Sequence, residues 1–169
     1  LHQCCLLHFT WSEVLQTHNC GVASPITEDT PRSKVDYMVR AAMMGIPGFS
    51  YRLPQMPEWV LERFRELGRF YTEHAAAFIL KGDAYRLTEQ PLSGGRGERF
   101  PVFQFTDRES RGLVFAFRLI GGPDSQRVQL KGLDPCREYT VSWLDAGKEE
   151  KRTGAELMKA GVAFEGLPE

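Results

Sequence analysis

The sequence predicts an α+β protein: an incomplete end of a (β/α)8 barrel, comprising two helices and one short strand, followed by a small antiparallel β-sandwich. Three observations carry this. Residues 57–80, PEWVLERFRELGRFYTEHAAAFIL, hold the longest helical period in the chain. A shorter helical stretch and a short apolar stretch precede it, giving the order helix, strand, helix of a βα unit. After Gly82 the apolar pattern changes from helical spacing to alternation.

The elements follow in order. Residues 1–26 are poorly assigned, with LLHFTWSEVLQ readable as a short strand and a short helix. Cys4, Cys5, His8, His18 and Cys20 offer thiol and imidazole groups that zinc accepts, but their spacing matches no usual zinc motif. Small buried cysteines and surface histidines are the simpler reading, and no metal or cofactor is assigned.

In TEDTPRSKVDYMVRAAMMG, Thr30 is the expected N-cap and Pro31 the first helical residue. Val35, Met38, Val39 and Ala42 form the apolar stripe, and Gly45 and Pro47 end the helix. Phe49 and Tyr51 mark a short strand. In the long helix, Val60, Phe64, Leu67, Tyr71, Ala75 and Phe78 share one face, with Pro57 at the start and Gly82 past the end. A lone βα unit cannot cover its strand on both faces. Part of this helix face is therefore expected to be exposed or buried in a partner.

From Asp83 onwards short strands alternate with turns. DAYRLTE is a strand and PLSGGRGER a loop. In FPVFQFTD, Val102 and Gln104 face one way, Phe103 and Phe105 the other. GLVFAFRLIGG is apolar on both faces and reads as the central buried strand. RVQLKGL and YTVSWLD alternate around LDPCRE, a turn. In TGAELMKAGVAFEGLPE, Thr153 caps a helical turn and a final strand begins at Val162, expected to be cut short. The domain reading is 1–26 unassigned, 27–81 the last helices and strand of a barrel, and 82–169 the sandwich.

Composition limits function. Hydrophobic residues make up 42% and charged residues 25% of 169, which excludes a disordered chain. A net charge of −1 gives no support to a nucleic-acid or anionic-membrane partner. No apolar run approaches the roughly 20 residues of a membrane span. The four unevenly spread cysteines do not form a disulfide framework, which favours a reducing, cytoplasmic setting. LHQCCLLHF makes a poor signal peptide, and a Leu start suggests a fragment.

Five stretches in order carry a resemblance: GFSYRLPQMPEWVLERFRELGRFYTEH, GDAYRLTE, VFAFRL, LKGLDPCREYTVSW and TGAELMKAG. Over roughly residues 27–168 the chain resembles the C-terminal part of bacterial α-galactosidases of glycoside hydrolase family 36, the melibiases. The resemblance implies a catalytic barrel with a β-sandwich after its last helix. It implies a galactoside or oligosaccharide substrate, bound through the full-length parent. The family's nucleophile, an aspartate near a Lys-Trp-Asp motif, has no counterpart here. Its acid/base aspartate lies in a Ser-Asp-(Asp/Asn)-Thr-like motif before a helix. The nearest match is Thr27-Glu28-Asp29-Thr30, where Glu28 stands in place of aspartate. The stretch before about Ala23 does not resemble the family.

Retaining glycoside hydrolysis needs two carboxylates about 5–5.5 Å apart, one a nucleophile and one an acid/base. Glu28 and Asp29 precede a helix, where barrel catalytic groups sit. They also suit the helix dipole as first-turn carboxylates, the commoner role. Without a second carboxylate motif this chain alone is expected to be inactive. Among other candidates, Gly45–Ser50 could line a sugar pocket near a strand end, but turn chemistry favours a tight turn. Gly94–Gly97 lacks the Lys-Ser/Thr of a phosphate loop. His74 reads as an interior or boundary histidine, and Trp59 and Trp143 as packing residues. Three readings follow: the tail of an α-galactosidase-like enzyme, a non-catalytic carbohydrate-binding module, and a structural domain that seals the barrel end or supports homo-oligomerisation.

Overall fold

The computed structural model describes residues 16–20, 25–107 and 111–168. Its first unit is a βαβ arrangement. Strand β1 (Gln16–Cys20) pairs in parallel with β2 (Ile46–Ser50), from Gln16↔Ile46 to Cys20↔Ser50, with helix α1 (Arg32–Met43) between them. Sequence reading missed β1, because QTHNC has no apolar alternation. Its strand character comes from the pairing that α1 allows.

Val35, Val39, Ala42 and Met43 form the buried stripe of α1. The expected Thr30 cap is replaced by another arrangement. Pro31 holds the N-cap position without a side-chain bond, and the Thr30 hydroxyl accepts from the Thr27 N–H at 2.9 Å. The missing Pro N–H is one of the helix's free N-terminal donors anyway, so the loss is small.

The long helix runs as α2 (Glu58–Phe70), a π-turn (Tyr71–Ala75) and α3 (Ala76–Lys81). Val60, Leu67, Tyr71, Ala75 and Ile79 are its buried residues. From Leu67 onwards these recur every four residues. In a regular helix at about 100° per residue a spacing of four drifts about 40° each time. The wider π-turn absorbs that drift. Ile79 accordingly takes the core position, and Phe78 is half-buried. The expected exposure of this face does not occur. α1 and the sheet that follows cover it, and among the described residues the large apolar side chains left exposed on and just after β2 are Ile46, Phe49 and Leu53. His74 is not interior either: it lies 65% exposed, 3.8 Å from the Glu73 carboxylate.

Strands β3 (Asp83–Arg86), β4 (Val102–Thr106) and β5 (Gly112–Ala116) form an antiparallel sheet in that order. Every residue of β4 is buried. Phe103 and Phe105 join Phe115 and Phe117 in a first core with α1, α2 and α3. Val102 joins Phe100, Val128, Leu130, Leu157 and Val162 in a second core. The two-face split of β4 holds as its sequence pattern indicates. The central strand is β4, however, and not the more apolar 112–122 stretch. β5 pairs only with β4 among the described strands, and its Gly112 is exposed. Burial here follows from what lies above and below the sheet, not from the strand's own hydropathy.

β6 (Ser125–Val128) pairs with β9 (Val162–Glu165), and β7 (Glu138–Trp143) with β8 (Lys148–Thr153), both antiparallel. The C-terminal half is thus antiparallel and β-rich, with its strands divided over one three-stranded sheet and two ribbons. Helix α4 (Gly154–Lys159) starts at a complete capping box between Thr153 and Glu156. Gly132, at φ +66°, packs against the Tyr85 ring and hydroxyl, a contact that a Cβ would block.

Candidate functional site

Glu28 and Asp29 lie in the connection between β1 and α1, on a turn closed by Thr30 N–H donating to Thr27 O at 3.1 Å. They therefore follow the C-terminal end of a parallel strand. Both are exposed, and among the described residues neither carboxylate makes a hydrogen bond or ion pair. Neither sits in the first turn of α1, which contains no acidic residue. The helix-dipole role is therefore not realised in that turn. Of the thiol and imidazole candidates, Cys4, Cys5 and His8 lie outside the described residues. His18 and Cys20 fall on β1. Among the described residues no three His, Cys, Asp or Glu side chains cluster to hold a metal ion.

Behind the connection, α1 is tied to its neighbours by a relay of alternating charge. Asp36 accepts from Arg63 Nε and Nη2 at 2.6 and 2.7 Å, and Arg40 Nη2 lies 3.7 Å from it. Arg63 also donates to Glu66 at 2.7 Å, and Glu66 takes Arg32 at 3.2 Å. Arg40 in turn forks onto both carboxylate oxygens of Asp145, at 2.6 and 2.7 Å, in the β7–β8 turn. The hydrogen bonds that Arg63 donates to the Asp36 carboxylate raise the Arg63 pKa above its ordinary value. The hydrogen bond from Arg63 holds the exposed Glu66 carboxyl below the usual range. The spacing of Asp36 and Arg40 is legible as a helical i,i+4 pair. The partners Arg63 and Asp145 are not, since only the fold brings them there.

Beside β2 lies an apolar cavity of about 300 Å³ lined by Val39 and Met43 of α1, by Ile46, Pro47 and Phe49 of β2, and by Gly68, Tyr71 and Thr72 of the long helix. Of Gly45–Ser50, expected as a tight turn, residues Ile46–Ser50 are extended and give this cavity one wall; the short strand expected at Phe49 and Tyr51 thus starts earlier and ends before Tyr51. Phe49 stacks on Phe64 with centroids 4.7 Å apart. No charged side chain lines the cavity. Polar recognition of a sugar has little to work with there. Gly94–Gly97 forms a surface loop closed by a Pro91–Gly97 bridge. Trp59 and Trp143 are half-buried against the first and second cores, as packing residues.

No helix among the described residues is long and apolar enough to cross a membrane. Residues 101–166 match the model of the glycosyl hydrolase family 36 C-terminal domain. No curated protein matches the chain. Among solved structures it is similar to the galactosidase domain of the α-galactosidase–sucrose kinase AgaSK (21% identity, 95% of this chain and 21% of that one, TM-score 0.72). A second is the α-galactosidase AgaA of Geobacillus stearothermophilus (24% identity, 94% and 21%, TM-score 0.70). A variant of AgaA in complex with raffinose matches at 26% identity over 78% of this chain and 17% of that one, with TM-score 0.61. The chain spans about a fifth of the length of these solved proteins. By the domain match and the shared fold, the chain is similar to the C-terminal part of glycosyl hydrolase family 36 α-galactosidases.

Proposed function

We propose that this chain is the C-terminal portion of an α-galactosidase-like glycoside hydrolase. Residues 27–81 complete a catalytic barrel and residues 82–169 act as its accessory β-domain. The observation that carries this reading is the order of parts: a parallel βαβ unit and its long helix precede residues 101–166, which match the family 36 C-terminal domain. Two further features favour a larger barrel. Among the described strands β2 pairs with β1 alone, which leaves its other edge without a strand neighbour there. Ile46 and Phe49 on that strand are exposed, at 42% and 39%.

The substrate class is terminal α-galactosyl groups of oligosaccharides, by analogy with the AgaA complex with raffinose. In a retaining mechanism a nucleophilic carboxylate attacks the anomeric carbon while a carboxylic acid protonates the departing oxygen. That acid, left as a carboxylate, then takes a proton from water, whose oxygen bonds to the anomeric carbon as the glycosyl-enzyme bond breaks and the nucleophile is released. Glu28 and Asp29 are this chain's candidates for the acid/base group, by their place after β1. The nucleophile lies outside this chain. The exposed free thiol of Cys136 suits a reducing, cytoplasmic setting.

The β-domain's role is structural: its sheet covers the long helix through Phe103, Phe105, Phe115 and Phe117. The second reading, a carbohydrate-binding module, would need an exposed aromatic platform. Trp143 is half-buried and covered by the Lys148 ammonium, 4.6 Å above its ring. An assay with p-nitrophenyl α-galactoside separates the readings. The chain alone is inactive, and a longer form from the same gene is active. Inactivity of both, with calorimetric binding of raffinose by the chain alone, would favour the binding module.

A further inference from the structure

We propose that the tip of the β7–β8 hairpin is a releasable ionic strap on helix α1. The hairpin has two parts with different holds. Its ladder is anchored: Tyr139, Val141 and Trp143 pack against the second core. Its tip, residues 144–147, is exposed throughout, and Leu144 there is 66% exposed. No apolar side chain anchors the tip. What reaches α1 is the Asp145 carboxylate, gripped by both Nη atoms of Arg40 across 105 residues of chain.

The relay behind this grip is graded in burial. Asp36 and Arg63 are only 16% and 17% exposed, whereas Asp145 is 63% exposed. Screening by salt acts strongly on exposed pairs and weakly on partly buried ones. The outer Arg40–Asp145 pair therefore releases before the inner Asp36–Arg63 pair. The inner Asp36–Arg63 pair keeps α1 on α2, and Tyr37, edge-on to Phe117 at 5.3 Å, keeps α1 on the sheet. Release is thus confined to the tip and the last turn of α1, and both cores stay closed.

The test is hydrogen–deuterium exchange of the whole chain between about 0.01 M and about 1 M NaCl, over which the screening length falls from about 30 Å to about 3 Å. Exchange is expected to rise several-fold in the last turn of α1 and the hairpin tip, with the β7–β8 ladder and α2 unchanged. Asp145→Asn should show the raised exchange already at low salt and lose the salt response. Arg40→Lys, which keeps the charge but not the fork, should fall between. Absence of a salt response in the wild-type chain, or one spread over the whole hairpin, overturns the proposal. So does an Asp145→Asn variant that matches wild type at low salt. The wild-type titration decides alone if the variants do not fold.

Discussion

The Tyr71 hydroxyl donates to the Gly45 carbonyl at 2.9 Å, joining the first residue of the π-turn to the entry of β2 across 26 residues. Both residues are buried. Tyr71→Phe keeps the ring and removes this hydrogen bond to the buried carbonyl, so it should cost about 1–2 kcal/mol in chemical denaturation. Burial raises the Tyr71 pKa. The folded state thus holds the hydroxyl protonated where the unfolded chain would release the proton. This contribution is complete below the ordinary tyrosine pKa and fades as pH rises through the folded-state pKa. The phenylalanine variant should lose that part of the alkaline slope.

Thr72 occupies the π-turn and is exposed. Deleting it returns the segment to a regular α-helix, with Ala75 and Ile79 three and seven positions after Tyr71. Those positions share a face with Val60, Phe64 and Leu67. The deletion should keep cooperative thermal unfolding. Deleting Glu62 within the regular helix should abolish it, because every earlier residue then turns by about 100° relative to the core.

Gln104 is 1% exposed and pairs both ways with the backbone of Lys131, donating from Nε2 at 2.7 Å and accepting at Oε1 from its N–H at 2.9 Å. Gln104→Leu should cost about 1–3 kcal/mol, since two backbone groups lose their partner. Gln104→Glu should cost more, because it also brings a carboxylate into a buried site. Urea denaturation ranks the two.

The capping box predicts an acid-side effect. Hydrogen bonds from Thr153 depress the Glu156 pKa. A depressed carboxyl pKa contributes stability that is present above the unfolded value and lost as pH falls through the folded value. Thr153→Ala should lower stability by about 1 kcal/mol near neutral pH. It should also flatten the slope on the acid side of the ordinary glutamate pKa, read from thermal melts against pH.

If either candidate carboxylate is the acid/base, its amide variant in the galactosidase-active longer form should lose about 10²–10⁴ in kcat, while the other variant stays near wild type. Equal, small effects from Glu28→Gln and Asp29→Asn on kcat would remove both from the chemistry.

The sequence by itself determined whatever local interactions settle. The three-residue reach of the Thr153–Glu156 box, the two-face alternation of Val102–Thr106 and the amphipathic stripe of residues 58–70 depend only on neighbours along the chain. The tertiary structure decided the rest. It made a strand of the polar residues Gln16–Cys20 and buried β4 between two cores instead of the more apolar stretch after it. It set a π-turn where the core positions needed an extra residue, and it brought Asp145 to Arg40. The charges and the extra residue were present in the sequence. Their partners lie tens of residues away, so burial, register and ion pairing were fixed only when both sides of each contact were folded. The candidate site divides in the same way. The carboxylates of Glu28 and Asp29 were legible from their place before a helix, whereas the parallel strand that precedes them emerged only from its pairing with β2.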